Sequence, residues 1–209
     1  VYKRQVKDIV PNAYTPVYEA ADEFSGAADN GLATTSGRST AGMWGYAVSA
    51  GSLDISLGYN QMPAAGAKSE QSIGLTYNDA LIEGLTVVAG RMDDGDVAEN
   101  DTYGVKYTSG SLTAGLQFTK VGYTATGTAD QDAMHYGVSV AVNENLSVSA
   151  GRQEVEIDGA TNDEVNNGIM ASYTMGSITL AGGMNKVSDA GGTTGVDAEV
   201  AILNASFAF

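Results

Sequence analysis

From Arg38 to the end of the chain, apolar side chains fall on every second residue. Trp44, Tyr46, Val48 and Ala50 alternate with Met43, Gly45, Ala47 and Ser49, and Leu53, Ile55, Leu57 and Tyr59 alternate with Asp54, Ser56, Gly58 and Asn60. Successive side chains of a strand point to opposite faces. A period of two therefore predicts strands with one apolar face and one small or polar face. The pattern recurs through Ile73-Leu75-Tyr77, Leu85-Val87-Ala89, Tyr103-Val105-Tyr107, Leu112-Ala114-Leu116-Phe118, Tyr136-Val138-Val140-Val142 and Leu146-Val148-Ala150. It continues through Ile169-Ala171-Tyr173-Met175 and Ile178-Leu180-Gly182, and a last strand runs from Val196 to Phe209. About eleven strands result, most close to the roughly 9–11 residues that a tilted strand needs to cross a bilayer.

The links between strands come in two kinds. Short ones centre near residues 51, 80, 110, 144 and 176, and longer ones occupy 61–69, 92–101, 124–132, 157–164 and 188–196. Short turns at one end and long loops at the other predict an up-and-down antiparallel sheet. Residues 6–37 lack this periodicity and are punctuated by Pro11, Pro16, Gly26, Asn30-Gly31 and Gly37, so they read as one long loop. Tyr14, Val17, Tyr18 and Phe24 call for packing partners, and Val17 to Phe24 suits a short helix. Residues 1–5 (Val1-Tyr2-Lys3-Arg4-Gln5) are unlike the acidic, Gly-rich remainder and are read as foreign to the fold, with the chain beginning inside a longer protein.

Alternation alone fits a soluble two-sheet sandwich as well, with the apolar face as its core. Three features favour a membrane barrel: strand length, the aromatics and the ending. Tyr46, Tyr77, Tyr107, Tyr173, Phe207 and Phe209 sit on the apolar face near the short-turn end, and Tyr59, Tyr103, Phe118 and Tyr136 lie towards the long-loop end. Two aromatic girdles around an aliphatic band are what two membrane interfaces select. The chain ends Val200-Ala201-Ile202-Leu203-Asn204-Ala205-Ser206-Phe207-Ala208-Phe209, with Ile202 breaking the pattern on the polar side.

Composition narrows the functional classes. Among 209 residues, 10 Lys plus Arg face 25 Asp plus Glu, a net charge of -15 that argues against a nucleic-acid partner. Cysteine is absent, which excludes disulfides and thiolate metal sites. Proline is scarce at 3, as long hydrogen-bonded strands require. No apolar run reaches the roughly 18 residues of a transmembrane helix, a test that a barrel evades because only alternate residues face lipid.

The closing strand, the strand-turn rhythm and the long loop before Arg38 together resemble the Gram-negative general porins, of the sixteen-stranded alphaproteobacterial type, from about Val6 to Phe209. The resemblance implies a transmembrane β-barrel in the cell outer membrane, a homotrimer, and passage of small hydrophilic solutes. It implies that Phe207 and Phe209 form the signal read by the barrel assembly machinery. It further implies that the strands over 38–209 are the last of the barrel and that 6–37 is the loop folding inside to narrow the pore. Glu19, Asp22, Glu23 and Asp29 then stand at the constriction, with Arg38 and Lys106 as the nearest positive charges, and a carboxylate ring favours cations.

No nucleophile–base constellation suggests an enzyme, and the lone His135 falls on the polar face. The densest acid cluster, Asp93, Asp94, Asp96, Glu99 and Asp101, reads either as a solvated loop or as a weak Ca2+ site, without EF-hand spacing. Asp130, Asp132, Asp158, Asp163, Glu164, Asp189 and Asp197 lie in or beside long loops, where an acidic rim would share divalent cations with lipopolysaccharide. No other cofactor is expected. The competing reading is an acidic, Gly-rich adhesin or secreted Ca2+-binding protein.

Overall fold

The computed structural model describes residues 43–60, 68–79, 81–93 and 98–207. These form one antiparallel meander: β1 (Met43–Ala50), β2 (Leu53–Asn60), β3 (Glu70–Tyr77), β4 (Leu85–Asp93), β5 (Ala98–Ser109), β6 (Leu112–Tyr123), β7 (Gln131–Ala141), β8 (Leu146–Ile157), β9 (Glu164–Met175), β10 (Ile178–Ser188) and β11 (Ala198–Phe207). Each strand pairs only with its neighbours in sequence, giving an eleven-stranded sheet in the order of the chain. β1 and β11 are its edges, and no ladder joins them among the described residues. The long segment 6–37, including the helix expected over Val17 to Phe24, lies outside the described residues.

The hairpins follow the sequence. Ala50 pairs with Leu53 and Ser109 with Leu112, so each turn is two residues long. The first of those residues, such as Gly110 at φ 56°, is left-handed, as tight primed turns require. The link over 78–84 is wider. Asp79 Oδ1 accepts the Gly84 N–H at 2.7 Å, and Gly84 O accepts the Thr108 N–H at 2.9 Å. Gly84 has φ +82°, and a Cβ there would collide with the Thr108 carbonyl oxygen. Gly84→Ala is therefore expected to destabilise the assembled protein by about 2–4 kcal/mol, through a strained φ and a backbone clash. The midpoint of urea unfolding measures it, and an unchanged midpoint would show that the turn relaxes freely.

The expected long link at 92–101 is much shorter. β4 runs to Asp93 and β5 begins at Ala98, so only 94–97 separate them. Arg91 bridges to Glu99 and to Asp101, which lets the charged ends continue as paired strand. The last strand starts at Ala198 rather than Val196, because Val196 closes a turn: its N–H donates to Thr193 O and its carbonyl accepts from Ala190 N.

Parity holds along the sheet. Leu57, Leu75, Val105, Val138, Val148 and Leu180 are exposed on one face. Leu203 is 80% exposed there, while Ile202, its neighbour, faces the other way and is half-buried. The character of the two faces, however, is not constant along the strands. Towards the long loops the apolar face turns ionic, carrying Arg91, Asp101, Lys120, Asp132, Arg152 and Lys186. There the polar face, expected to hold few apolar residues, carries the buried Val88, Met92, Val121, Ala133, Val155 and Val187.

Candidate functional site: the polar wall and its charged counterpart

On the polar face, cross-strand pairing aligns Gln117, His135, Gln153 and Asn166 in one row across β6 to β9. All are fully buried, at 0% exposure. Asn166 Nδ2 donates to Gln153 Oε1 and to Glu164 Oε1, both at 2.9 Å. Gln117 Nε2 reaches Thr119 Oγ1 at 3.4 Å, and the Thr119 and Thr102 hydroxyls lie 3.2 Å apart.

One step towards the short turns, the row is paved with glycine: Gly115, Gly137, Gly151 and Gly168 are successive partners. Lys106 sits beside Gly115 at one end of this band and Asn185 beside Gly168 at the other. Further down are hydroxyls, including Ser139 opposite Ser149, around an open recess of about 550 Å³. The wall thus offers amides, a band without side chains and then hydroxyls. It can hydrogen-bond polar solutes, and it holds no group arranged for covalent chemistry among the described residues.

Glu164 was expected in an outer rim of loop acids. It is instead fully buried on this wall. Its Oε2 accepts the Gly191 N–H at 2.7 Å. Gly191 lies in the short 3-10 turn Ala190–Gly192 of the link between β10 and β11. Asn162 Nδ2 adds a bond to Thr194 Oγ1 at 3.0 Å, and Val187 packs on Ala190. The last link is therefore fastened to the β8–β9 side of the wall.

The opposite face carries the aromatics. Tyr46, Tyr77, Tyr107, Tyr173 and Phe207 are exposed towards the short turns, as are Tyr103, Phe118 and Tyr136 towards the long loops. Register links the two levels. Tyr77 opposes Val87, and the row continues through Val105 and Leu116 to Tyr136. One row perpendicular to the strands thus climbs from the lower aromatic level on β3 to the upper on β7, which is strand tilt of the kind a barrel requires.

Beyond Tyr136 the same row becomes Arg152, Asn167, Lys186 and Glu199. Arg152 Nε donates to Glu154 Oε1 at 2.6 Å, Lys120 Nζ meets Asp132 Oδ2 at 3.1 Å, and Lys186 Nζ stands 3.8 Å from Glu199 Oε1. These pairs are solvent-accessible, so water screens them and they contribute little to stability. Their significance is position, since they mark where the exposed face changes from apolar to ionic.

Of the constriction residues expected from sequence, Lys106 is on the polar wall, while Glu19, Asp22, Glu23, Asp29 and Arg38 lie outside the described residues, as does Phe209. Of the candidate Ca2+ ligands, Glu99 and Asp101 are engaged by Arg91, Asp93 opposes Glu99 across the ladder, and Asp94 and Asp96 lie outside the described residues. The amide row and glycine band have a signal in the sequence. β6 and β8 read Gly-x-Gln (Gly115 to Gln117, Gly151 to Gln153), and β7 and β9 read the reverse order as His135-x-Gly137 and Asn166-x-Gly168.

The model of the family described as Gram-negative porin matches residues 7–209. The chain belongs to that family. It is a family of outer-membrane channels rather than enzymes, so the ionic and aromatic levels of this porin chain flank its lipid-facing band. The reading as a secreted protein or adhesin falls with the match. No curated protein matches the chain in sequence.

Among solved structures, a mutant of the Rh. blastica porin is similar at TM-score 0.63 and 20% identity, covering 97% of this chain and 69% of that one. A loop-deletion mutant of OmpT, an outer membrane protein of Vibrio cholerae, reaches 0.62 at 17% identity, covering 79% and 62%. A porin refined at 1.8 Å gives 0.60 at 18% identity, with coverages of 80% and 60%. The chain therefore spans about three fifths to two thirds of the length of these porins.

Proposed function

We propose that the complete protein is a passive diffusion channel for small hydrophilic solutes and ions across the outer membrane, weakly selective for cations. It closes as a sixteen-stranded barrel and works as a homotrimer, with lipopolysaccharide around its ionic level and with Phe207 and Phe209 read by the assembly machinery. The observation that carries this reading is the polar wall. A sheet that exposes its Leu, Val and Tyr side chains on one face and turns amides, hydroxyls and glycines to the other is apolar outside and polar inside, the alternation of a lipid-spanning channel wall.

In this reading residues 6–37 are the pore-constricting loop and 38–209 the barrel strands. The constriction stands against the Gln117–Asn166 row, where the wall is fully buried although it faces the lumen. Glu19, Asp22, Glu23 and Asp29 line it, with Arg38 and Lys106 as counter-charges. Low-dielectric walls focus the field of such carboxylates. Neutralising Glu19, Asp22 and Glu23 together is expected to shift the reversal potential in a planar bilayer under a salt gradient towards zero. If reversal potential and conductance both stay unchanged, these acids do not line the constriction.

A further inference from the structure

The polar face carries few charges. Among the described strand side chains on it, only Asp54, Lys106 and Glu164 are ionic, and Glu164 is sealed into the wall. Asp54 is the one held in place by neighbours while still half-exposed. Ser49 Oγ donates to its Oδ1 at 2.5 Å, and Asn78 Nδ2 donates to its Oδ2 at 3.2 Å. Thr86 Oγ1 reaches Asn78 Oδ1 at 3.4 Å, which orients that amide. No cationic side chain pairs with Asp54 among the described residues.

Register gives its position. Asp54 opposes Thr76, and the row continues through Val88 and Gly104 to Gln117. Asp54 is thus the foot of the buried amide row. It lies beside the turn at Gly51, and its neighbour Leu53 opposes Tyr77 of the lower aromatic level. The row climbs from the short-turn mouth on β2 to the level assigned to the constriction.

We propose that Asp54 is a second determinant of ion selectivity: a fixed carboxylate at the short-turn mouth that attracts small cations independently of the constriction acids. A carboxylate offers about four acceptor positions. Ser49 and Asn78 occupy two, which leaves the others to ions and water in the lumen. Both donors also fix the carboxylate on the wall, so its charge stays at one height in the pore. The inference rests on the channel reading and adds a charge outside residues 6–37.

The test is the reversal potential of the full-length protein in a planar bilayer under a potassium chloride gradient. In dilute salt, Asp54→Asn is expected to lower the cation-to-anion permeability ratio about twofold, the effect of one unit charge several ångströms from an ion in water. The screening length is about 10 Å at about 0.1 M salt and about 3 Å at about 1 M, so the difference is expected to fade in concentrated salt. Asp54→Cys adds a readout that a purely structural role would not move. The chain has no cysteine of its own. A sulfonate-bearing methanethiosulfonate is expected to return the ratio towards wild type, and a trimethylammonium-bearing one to lower it further. This comparison is made within one assembled protein, so it stands even where Asp54→Asn assembles poorly.

A ratio unchanged by Asp54→Asn in dilute salt overturns the proposal, as does an equal response to the two reagents. So does a loss of selectivity that persists in concentrated salt, which would mark a deformed pore rather than a discharged one. A wild type that conducts normally in those cases leaves the channel reading standing, whereas a silent wild type overturns both.

Discussion

Val105→Arg lowers the stability of the folded protein in lipid by about 2–4 kcal/mol, the cost of a cation near the bilayer midplane. Val105 is exposed, and its strand carries exposed Tyr103 and Tyr107 on the same face, one towards each interface. It also sits midway along the row that climbs from Tyr77 to Tyr136. An arginine there has no water within easy reach and must bend towards one interface. Ser139→Arg places the same side chain on the other face, beside the hydroxyl-lined recess of about 550 Å³. It is expected to change stability by less than about 1 kcal/mol, as an ordinary wet-surface substitution does. Urea unfolding in lipid vesicles, followed by fluorescence, measures both. Equal costs at the two sites would mean that the polar face is as dry as the apolar one.

Glu164→Ala detaches the link between β10 and β11 from the wall. The substitution removes the acceptor of the Gly191 N–H and one of the acceptors of Asn166 Nδ2. Leaving such donors unpaired in a buried place costs about 1–3 kcal/mol. The local readout is amide hydrogen exchange. Gly191 is expected to lose its protection, while amides in the middle of β5 and β6 keep theirs. Glu164→Gln retains a carbonyl acceptor and is expected to restore most of the protection. If Gly191 exchanges equally slowly in all three proteins, the link is held by its other contacts, Asn162 to Thr194 and Val187 to Ala190.

The side of the sheet on which a residue lies was legible wherever a large apolar group alternated with a small one, as in Tyr46 to Ala50 or Tyr103 to Tyr107. Strand number was legible too, because glycine-marked turns such as Ser109-Gly110-Ser111 punctuate the chain. What escaped the pattern is the exchange of character towards the long loops. Period-two reading treats a face as one environment, but a membrane-crossing face passes from hydrocarbon to headgroups within a single strand. Arg91 and Asp101 therefore follow the parity of Ile73 and Tyr103 while resembling loop residues in composition. Glu164 escaped for a related reason. A carboxylate next to a loop reads as solvated, and only the fold brings Gly191, distant in sequence, to its oxygen. The Gly-x-Gln signature was present in the sequence, but its reversal on alternate strands becomes meaningful only once antiparallel register is known.

The ionic level has a kinetic side. If the long-loop end leads as the chain enters the bilayer, Arg91, Lys120, Arg152 and Lys186 must traverse the hydrocarbon before reaching the far interface. Each carries roughly 2–4 kcal/mol at the midplane if it crosses alone. Once delivered, the same side chains contribute little to the final stability, because their ion pairs are solvent-accessible. Their acids therefore matter most in transit, where a neutralised pair crosses more cheaply than a lone charge. Substituting Glu154 or Asp132 would then slow insertion while leaving the finished protein as durable as before, separating how fast this sheet arrives in the membrane from how firmly it stays.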